Sequence, residues 1–468
     1  MEVVTHQLRS NRPNRGLGPA VVTVAFLGAV IGGVGAPLIT AVALDLDVPL
    51  DGAQWTLTIT LFAGAIAAPV LGRLGSGPQR RATILITLGL VAVGGLLTAI
   101  PLPFAVLLIG RALQGLGLGV VALLMSVARE HLHAERAQTT IATVSVASTI
   151  GIGVAYPVMA LIDQLAGLRT AYWVGFVLSL AAVIVAWRSI PEDAPGPRTR
   201  VDIPGAVLLG IGTLGILLVI AQRSVWDVPW IGASVLLVAM LTLAGWVAVE
   251  RRTTGPLIDL TLFARGAVLR ANAAMLTSGA GMYLLFSALT RYVQTPPDAG
   301  YGLGLSGVLA GAALIPFSVL GFFAGRLTPW LTARVSARWA FVIHAAFVAL
   351  AAGVFAMSPG SLIVTLLSMA VLGFGVGGVS AIMPRLLLDD VPQKETSSVL
   401  SINQVIRSVG FSIGSALAGV MLAIATSTGA VFPDERGYSI IALCVLPLLA
   451  LSVVFIAVAP RPWLPWNT

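Results

Sequence analysis

The chain has 468 residues, 57% of them hydrophobic and only 10% charged, with 27 Lys+Arg against 19 Asp+Glu. A soluble domain carries roughly 25% charged residues, so this composition excludes a water-soluble globule and puts most of the chain in lipid. Disorder, collagen and coiled coil are excluded too, because the apolar stretches are long and carry no heptad period.

The first 19 residues are polar and carry Arg9, Arg12 and Arg15, which suits a cytoplasmic tail rather than a cleavable signal peptide. A membrane-crossing helix needs about 20 largely apolar residues. In chain order, hydropathy predicts spans over 20–42, 55–73, 82–100, 104–126, 141–162, 170–188, 203–222, 229–249, 268–290, 304–325, 338–357, 361–383, 400–425 and 438–458. The expected fold is therefore an all-α integral membrane protein with 14 transmembrane helices. The connections are short, polar or proline-rich, so no soluble domain is large enough to do chemistry alone.

With the N-terminus inside, 21 of the 27 basic residues fall on the cytoplasmic side. Arg169, Arg223, Arg291 and Arg436 fall outside, and Arg111 and Arg407 lie within spans. This bias predicts a multi-pass protein with both termini cytoplasmic and an even number of spans. High Ala, Gly and Arg with a single Lys suggests a GC-rich bacterial genome, so the expected location is a bacterial inner (plasma) membrane. It accounts for the net charge of +8 without a nucleic-acid partner. Lys394, the only lysine, lies in Gln393-Lys394-Glu395, so no P-loop is present. Cys444 is the only cysteine, which excludes an internal disulfide, a zinc finger or an iron–sulfur cluster.

A repeat is visible. Span 2 ends in Gly72-Arg73-Leu74, and span 10 ends in Gly325-Arg326-Leu327, 253 residues later. Span 4 carries Gly115, Gly117, Gly119 and Met125; span 12 carries Gly373, Gly375, Gly377 and Met383, 258 residues later at each position. Two six-helix bundles at a nearly constant offset explain both matches, with spans 7 and 8 inserted between them. The expected organisation is a tail 1–19, a first bundle 20–190, an insert with linker 191–252, a second bundle 253–460 and a tail 461–468. Repeated halves of this kind are a secondary-transporter architecture, with the substrate between them. The insert carries no readable chemistry and is expected at the periphery. Trp226 and Trp230 bracket its outer loop as interface residues.

Four stretches resemble a known family. Gly72-Arg73-Leu74-Gly75-Ser76-Gly77-Pro78-Gln79-Arg80-Arg81 is similar to the loop 2–3 signature of the major facilitator superfamily. Ile109 to Gly119, reading IGRALQGLGLG, closely resembles its span 4 signature. Gly151-Ile152-Gly153-Val154-Ala155-Tyr156-Pro157 loosely resembles the antiporter signature of span 5, and Asn403-Gln404-Val405-Ile406-Arg407 the opening of the second half's fifth helix. With the span count, the chain resembles the fourteen-span drug:proton antiporter branch. That resemblance implies multidrug efflux by alternating access, driven by protons and without a cofactor. It also implies a proton-relay role at Arg111. Two departures stand out. Ser76 replaces the usual acidic residue of the loop 2–3 signature, and span 1 reads Ile31-Gly32-Gly33-Val34-Gly35-Ala36-Pro37 where many relatives carry an acid.

The residues themselves nominate coupling or gating groups. A cation within a span costs at least ~2.5–3.5 kcal/mol on insertion scales and normally faces the protein interior or a cavity. Arg111 is one; it either gates or couples, or pins its helix to span 1 through backbone carbonyls. Gln114, three residues on, shares its face and either touches substrate or makes an interhelical hydrogen bond. Arg407 shares a face with Asn403 and Gln404, which suits a cavity lining, a gate or snorkelling towards the inner surface. Arg73, Arg80 and Arg81 flank a short loop as gate elements or simple topology determinants. Tyr156, Tyr283 and Phe286, with Gln114, Asn403 and Gln404, are the candidate lining of a substrate cavity.

Gly115, Gly119, Gly151 and Gly153 suit close helix packing, and Pro37, Pro69, Pro157 and Pro316 suit kinks. None of the 19 acids falls at mid-span. Asp45 and Asp163, at outer span ends, are the nearest proton-site candidates. His131 and His133 fall in a loop, and His344 within span 11 suits packing.

The leading expectation is a monomeric transporter, set in the lipid bilayer, that exports hydrophobic or amphipathic small molecules by alternating access. The alternative is an uncoupled or lipid-type carrier of the same fold. An enzyme is not expected, because no nucleophile–base or metal constellation is present. A channel is not expected from two linked halves.

Overall fold

The computed structural model describes residues 16–457 apart from Ala36, Pro49, Ser76, 194–201, Gln222, 254–259, 261–265, Ser306, 358–359, 389–390 and 428–431. Nearly all of the expected tails 1–19 and 461–468, and Ser76, lie outside the described residues, as does the Lys394 side chain.

The described residues form sixteen α-helices and no strand. The first seven are α1 (Leu17–Gly33), α2 (Ile39–Asp45), α3 (Leu50–Leu74), α4 (Arg80–Ala99), α5 (Phe104–His131), α6 (Ala134–Ala166) and α7 (Leu168–Ser189). Then come α8 (Ile203–Ala221) and α9 (Pro229–Glu250). The last seven are α10 (Gly266–Gln294), α11 (Gly307–Ala312), α12 (Ile315–Val335), α13 (Ala337–Met357), α14 (Leu362–Leu388), α15 (Thr396–Ile424) and α16 (Glu435–Ala457). Twelve helical stretches, with α11 and α12 taken together, are long and apolar enough to cross a membrane; α1 and residues 204–220 of α8 are shorter apolar helices.

Several boundaries move from their hydropathy positions. Span 1 is not one helix: α1 stops at Gly33 and α2 resumes at Ile39, because Pro37 lacks the N–H a continuous helix needs. Span 10 is likewise divided, with Pro316 in the first turn of α12. Pro69 and Pro157 sit inside continuous helices. α5 runs to His131, α12 to Val335 and α14 to Leu388, so Arg129, His131, Arg326, Arg334 and Arg385 are helical rather than in loops. Hydropathy marks the hydrocarbon thickness, whereas backbone hydrogen bonding continues into the polar region.

Two sets of pairings repeat. In the first, α1 packs on α5, α6 and α7; α3 packs on α5; and α4 packs on α5 and α7. In the second, α10 packs on α14, α15 and α16; α12 packs on α14; and α13 packs on α14 and α16. The repeated glycines sit at matching crossings. Gly115 lies against the Thr60 carbonyl of α3, and Gly373 lies against the Phe317 carbonyl of α12, each with no room for a Cβ. Across the seam, α6 packs on α12 and α14, while α15 packs on α3 and α5.

The insert is a hairpin. Gly232, Ala239, Trp246 and Glu250 form the buried stripe of α9, and Gly212 and Gly215 of α8 accept Leu243 and Ala239 of α9. Only 11% of the apolar window of α9 is buried, which suits a lipid-facing helix. Its partner α8 reaches further in and packs on α3 and α15, across one seam between the two sets. The peripheral placement therefore describes α9, while α8 covers a joint. Trp226 and Trp230 are both exposed, and Trp226 also donates its indole N–H to Val219 O at 2.9 Å.

Candidate functional site

The break in the first span creates one polar centre. At the end of α1, Ile31 O accepts from Val34 N at 3.3 Å, a tightened closing turn. Arg111 of α5 adds donors there: Nη1 donates to Ile31 O at 3.4 Å and Nη2 to Gly32 O at 3.2 Å. Its Nε donates to Thr56 O of α3 at 3.1 Å, and Nη1 also donates to the Gln114 Oε1. Gln114 in turn donates to Thr98 Oγ1 of α4 at 3.4 Å. Arg111 and Gln114 are both fully buried. This centre ties four helices together inside the first set, and Gln114 has its described partners there rather than in the cleft between the sets.

The seam between the sets contains a second polar centre. A narrow cleft is lined by Met125 (α5), Ser145 (α6), Met275 (α10), Ser380, Met383 and Pro384 (α14), and Leu400, Asn403, Gln404 and Arg407 (α15). Met125 and Met383, one repeat apart, both line it. Asn403 donates to Asn272 Oδ1 at 3.0 Å, and Asn272 donates to Val268 O. Ser145 closes one wall through Ser380 O, and Thr149 donates to Ser380 Oγ at 3.4 Å. Arg407 is half-buried and lies over the Phe411 ring at 5.8 Å. From there aromatic rings continue: Phe411 stacks on Tyr283 at 4.9 Å, Tyr283 meets Phe286 at 5.4 Å, and Phe286 meets Phe317 at 5.4 Å. Tyr156 is half-buried against the same core.

Arg407 stands eleven residues into a 29-residue helix. At 1.5 Å per residue this is ~16 Å from the helix start. Because α15 begins at Thr396 rather than at residue 400, Arg407 stands about one turn further along its helix than hydropathy places it.

The arginine-rich end holds a third arrangement. Arg80 Nε donates to Gly75 O at 2.7 Å, and its guanidinium pairs with Glu130. Arg81 donates from its backbone to Asp193 Oδ2 at 2.7 Å, and from its guanidinium to Glu192 at 2.8 Å and Trp187 O. Burial pushes the Asp193 carboxyl above the usual carboxylate range, partly offset by the Arg81 amide. All these described partners lie in the first set or in the segment just after α7. Arg73 Nε is buried without a hydrogen-bond partner.

The residue that crosses is Arg129. It donates to Thr396 Oγ1 at 2.7 Å, Leu388 O at 3.2 Å and Val391 O at 2.9 Å, and its own carbonyl accepts from Gln393. Sequence reading missed it, because a basic residue near a helix end looks like ordinary topology. Gly72 lies against Ser401 and Ser397 O of α15, and Gly325 lies against Val146 of α6. The two Gly-Arg-Leu glycines thus occupy corresponding positions on the two seams.

Gly151 packs on Phe26 O and Ala29 of α1, Gly153 on Ser318, Gly119 on Ala68, and Pro157 on Gly311. Asp45 is exposed at the end of α2, and Asp163 lies near enough for their charges to interact. His344 is buried in α13, with Nε2 3.0 Å from Thr328 Oγ1. Among the described residues, no group of three His, Cys, Asp or Glu is placed to hold a metal.

Comparison with known proteins places these features in a family. Residues 21–415 match the Major Facilitator Superfamily. The chain is 26% identical over 416 residues to multidrug resistance protein Stp of Mycobacterium tuberculosis (strain ATCC 25618 / H37Rv), covering 85% of this chain and 73% of Stp. It is 27% identical over 403 residues to the probable actinorhodin transporter of Streptomyces coelicolor, covering 81% and 68%. Its fold is similar to the crystal structure of the human organic anion transporter MFSD10 (TETRAN), with a TM-score of 0.61 at 15% identity over 94% of this chain and 100% of that one. With the repeated helix pairings and the apolar lipid-facing surface, the matched profile makes this chain a multi-pass membrane protein that belongs to the Major Facilitator Superfamily.

Proposed function

We propose that this protein exports hydrophobic or amphipathic small molecules across a bacterial plasma membrane by alternating access. In this reading fourteen spans cross the bilayer, both termini are cytoplasmic, and residues 20–190 and 253–460 move as two bodies. Residues 191–252 are an insert between them. The protein works as a monomer, since one chain carries both halves. The carrying observation is the pair of corresponding seams, with Gly72 on α15, Gly325 on α6 and a cleft nearby. Such paired joints suit rocking of one half on the other about a central site. The relatives named as a multidrug resistance protein and an actinorhodin transporter support outward movement of organic molecules.

Proton antiport is the coupling the resemblance implies, with Arg111 in the relay. A second reading, an uncoupled carrier, draws on Arg111. Its described partners are carbonyls and an amide instead of a carboxylate, and no Asp or Glu is among the residues lining the cleft. Everted vesicles carrying the protein and a luminal pH-sensitive dye test both. Energised, protein-dependent uptake of at least one compound from an amphipathic panel is expected. No protein-dependent movement of any compound overturns export. Substrate-linked proton flux favours antiport, and substrate movement without it favours the uncoupled carrier.

A further inference from the structure

The two arginines that fall within the hydropathy spans, Arg111 and Arg407, are treated very differently. Arg111 donates to three backbone carbonyls and one amide oxygen. Arg407 has no hydrogen-bond or ion-pair partner among the described residues; its described contact is the face of Phe411. Its guanidinium nitrogens are not sealed in the protein either, because the side chain lines the cleft. A guanidinium held in this way, far from the aqueous end of its helix, keeps its planar fork of donors available.

The surroundings define what fits. The cleft lining contains no acidic residue, so nothing in it neutralises Arg407 or anchors a cation. Beside the guanidinium are the amides Asn403 and Gln404. The guanidinium rests on Phe411, the first of a row of rings, Tyr283, Phe286 and Phe317, that packs behind the cleft. The apolar lining of the cleft itself is Met125, Met275, Met383, Pro384 and Leu400, and its methionines are flexible, polarisable side chains that adapt to varied apolar shapes. One cationic fork in an acid-free, methionine-lined cleft is complementary to a molecule with one anionic head and an apolar body.

We propose that Arg407 is the head-group site of the cleft and that the transported molecule is an amphipathic organic anion, a carboxylate or sulfonate on an apolar body. This rests on the export reading above and names its substrate class. A cationic amphiphile of the same shape would meet repulsion from Arg407 with no compensating carboxylate.

The test uses the full chain in proteoliposomes and two permanently charged probes with one ring system, 1-pyrenesulfonate and (1-pyrenylmethyl)trimethylammonium. Protein-dependent release of each is compared with empty liposomes. The anion is expected to move at least ~10-fold faster than the cation, as charge complementarity at a desolvated site requires. Arg407→Gln is expected to cut anion release by ~10-fold or more, and Arg407→Lys to restore part of it, since lysine keeps the charge but loses the fork. Equal or faster movement of the cation overturns the proposal while leaving export intact, and this comparison needs no variant. Unchanged anion release in a folded Arg407→Gln protein overturns it as well. If neither probe moves, this proposal is overturned, and the export reading stands or falls separately on the wider amphipathic panel.

Discussion

Arg111 Nη2 donates to the carbonyl of Gly32, 3.2 Å away, one residue before α1 ends. A helix end carries a partial negative charge on its unpaired carbonyls, and the guanidinium meets it there. Among the described residues, this buried cation is held by carbonyl and amide oxygens rather than by an acid. Arg111→Ala leaves the carbonyls of Ile31, Gly32 and Thr56 without this donor. It is expected to destabilise the folded protein by roughly 2–4 kcal/mol. Scanning fluorimetry in detergent reads this as a lowered Tm, with Arg111→Lys intermediate. An unchanged Tm in Arg111→Ala would mean the centre does not hold the first set together.

The seam glycines make a separate prediction. A side chain at Gly72 meets Ser401 and Ser397 O, and one at Gly325 meets Val146. Gly72→Val and Gly325→Val are expected to lower transport by ~10-fold or more while the protein stays helical, because the halves cannot close together. Gly89 and Gly353, whose added Cβ meets nothing within 4 Å, are the controls. Equal loss in the controls would sink the seam explanation.

Arg129 is expected to hold the arginine-rich end shut. Arg129→Ala removes the donor to Thr396, Leu388 O and Val391 O. A cysteine placed at Ser145, which is buried on the cleft wall, reports opening through its rate of labelling by a membrane-impermeant thiol reagent. Arg129→Ala is expected to raise that rate by ~5-fold or more, a coupling of the usual size between two states. Identical labelling in both backgrounds would remove Arg129 from the gate.

His344 and Gly378 form a matched pair. The imidazole fills the space a Cβ at Gly378 would take. Gly378→Ala is expected to overpack the second set and cost about 1–3 kcal/mol. His344→Ala in the same chain is expected to recover part of that loss, read as Tm in a double-mutant cycle. No recovery would show that the strain lies elsewhere.

Asp193 supplies a pH dependence. Its folded pKa lies above the ordinary value, so the folded protein holds this proton more tightly than the unfolded chain. The resulting stability is present at acid pH and is lost as pH rises through the folded pKa. Asp193→Asn keeps an acceptor for the Arg81 amide and avoids that loss. Its Tm is expected to equal or exceed wild type at neutral pH and to converge with it as pH falls below the ordinary carboxylate range. A lower Tm at neutral pH alone would contradict this sign.

Much of the fold was legible because it follows from one-dimensional quantities. The hydropathy segments fall on helices, with spans 1 and 10 each divided in two, and the glycine repeat at 253 and 258 residues marks matching crossings in three dimensions. The site was legible only in outline. Asn403, Gln404 and Arg407 share one face at helical spacing, and they do line the cleft together. Gln114 sits on an equally polar face, yet its partners are Arg111 and Thr98. Helical periodicity says which residues share a face but not what that face meets. Asn272 and Arg129 were missed for the same reason, since each acquires its role from a residue more than 120 positions away.

The sequence by itself determined that the chain lives in lipid, that it is helical, that it is built twice over and that no acid lies at mid-span. These depend on composition, local period and internal repetition, all of which survive without knowing what touches what. Tertiary structure decided the fates of the two intramembrane arginines. Arg111 faces a broken helix and is satisfied by its carbonyls, whereas Arg407 faces the gap between the repeated halves and has an aromatic ring in place of an acid. The free energy of a buried charge is set by the groups within a few ångströms of it, and only folding brings those groups there.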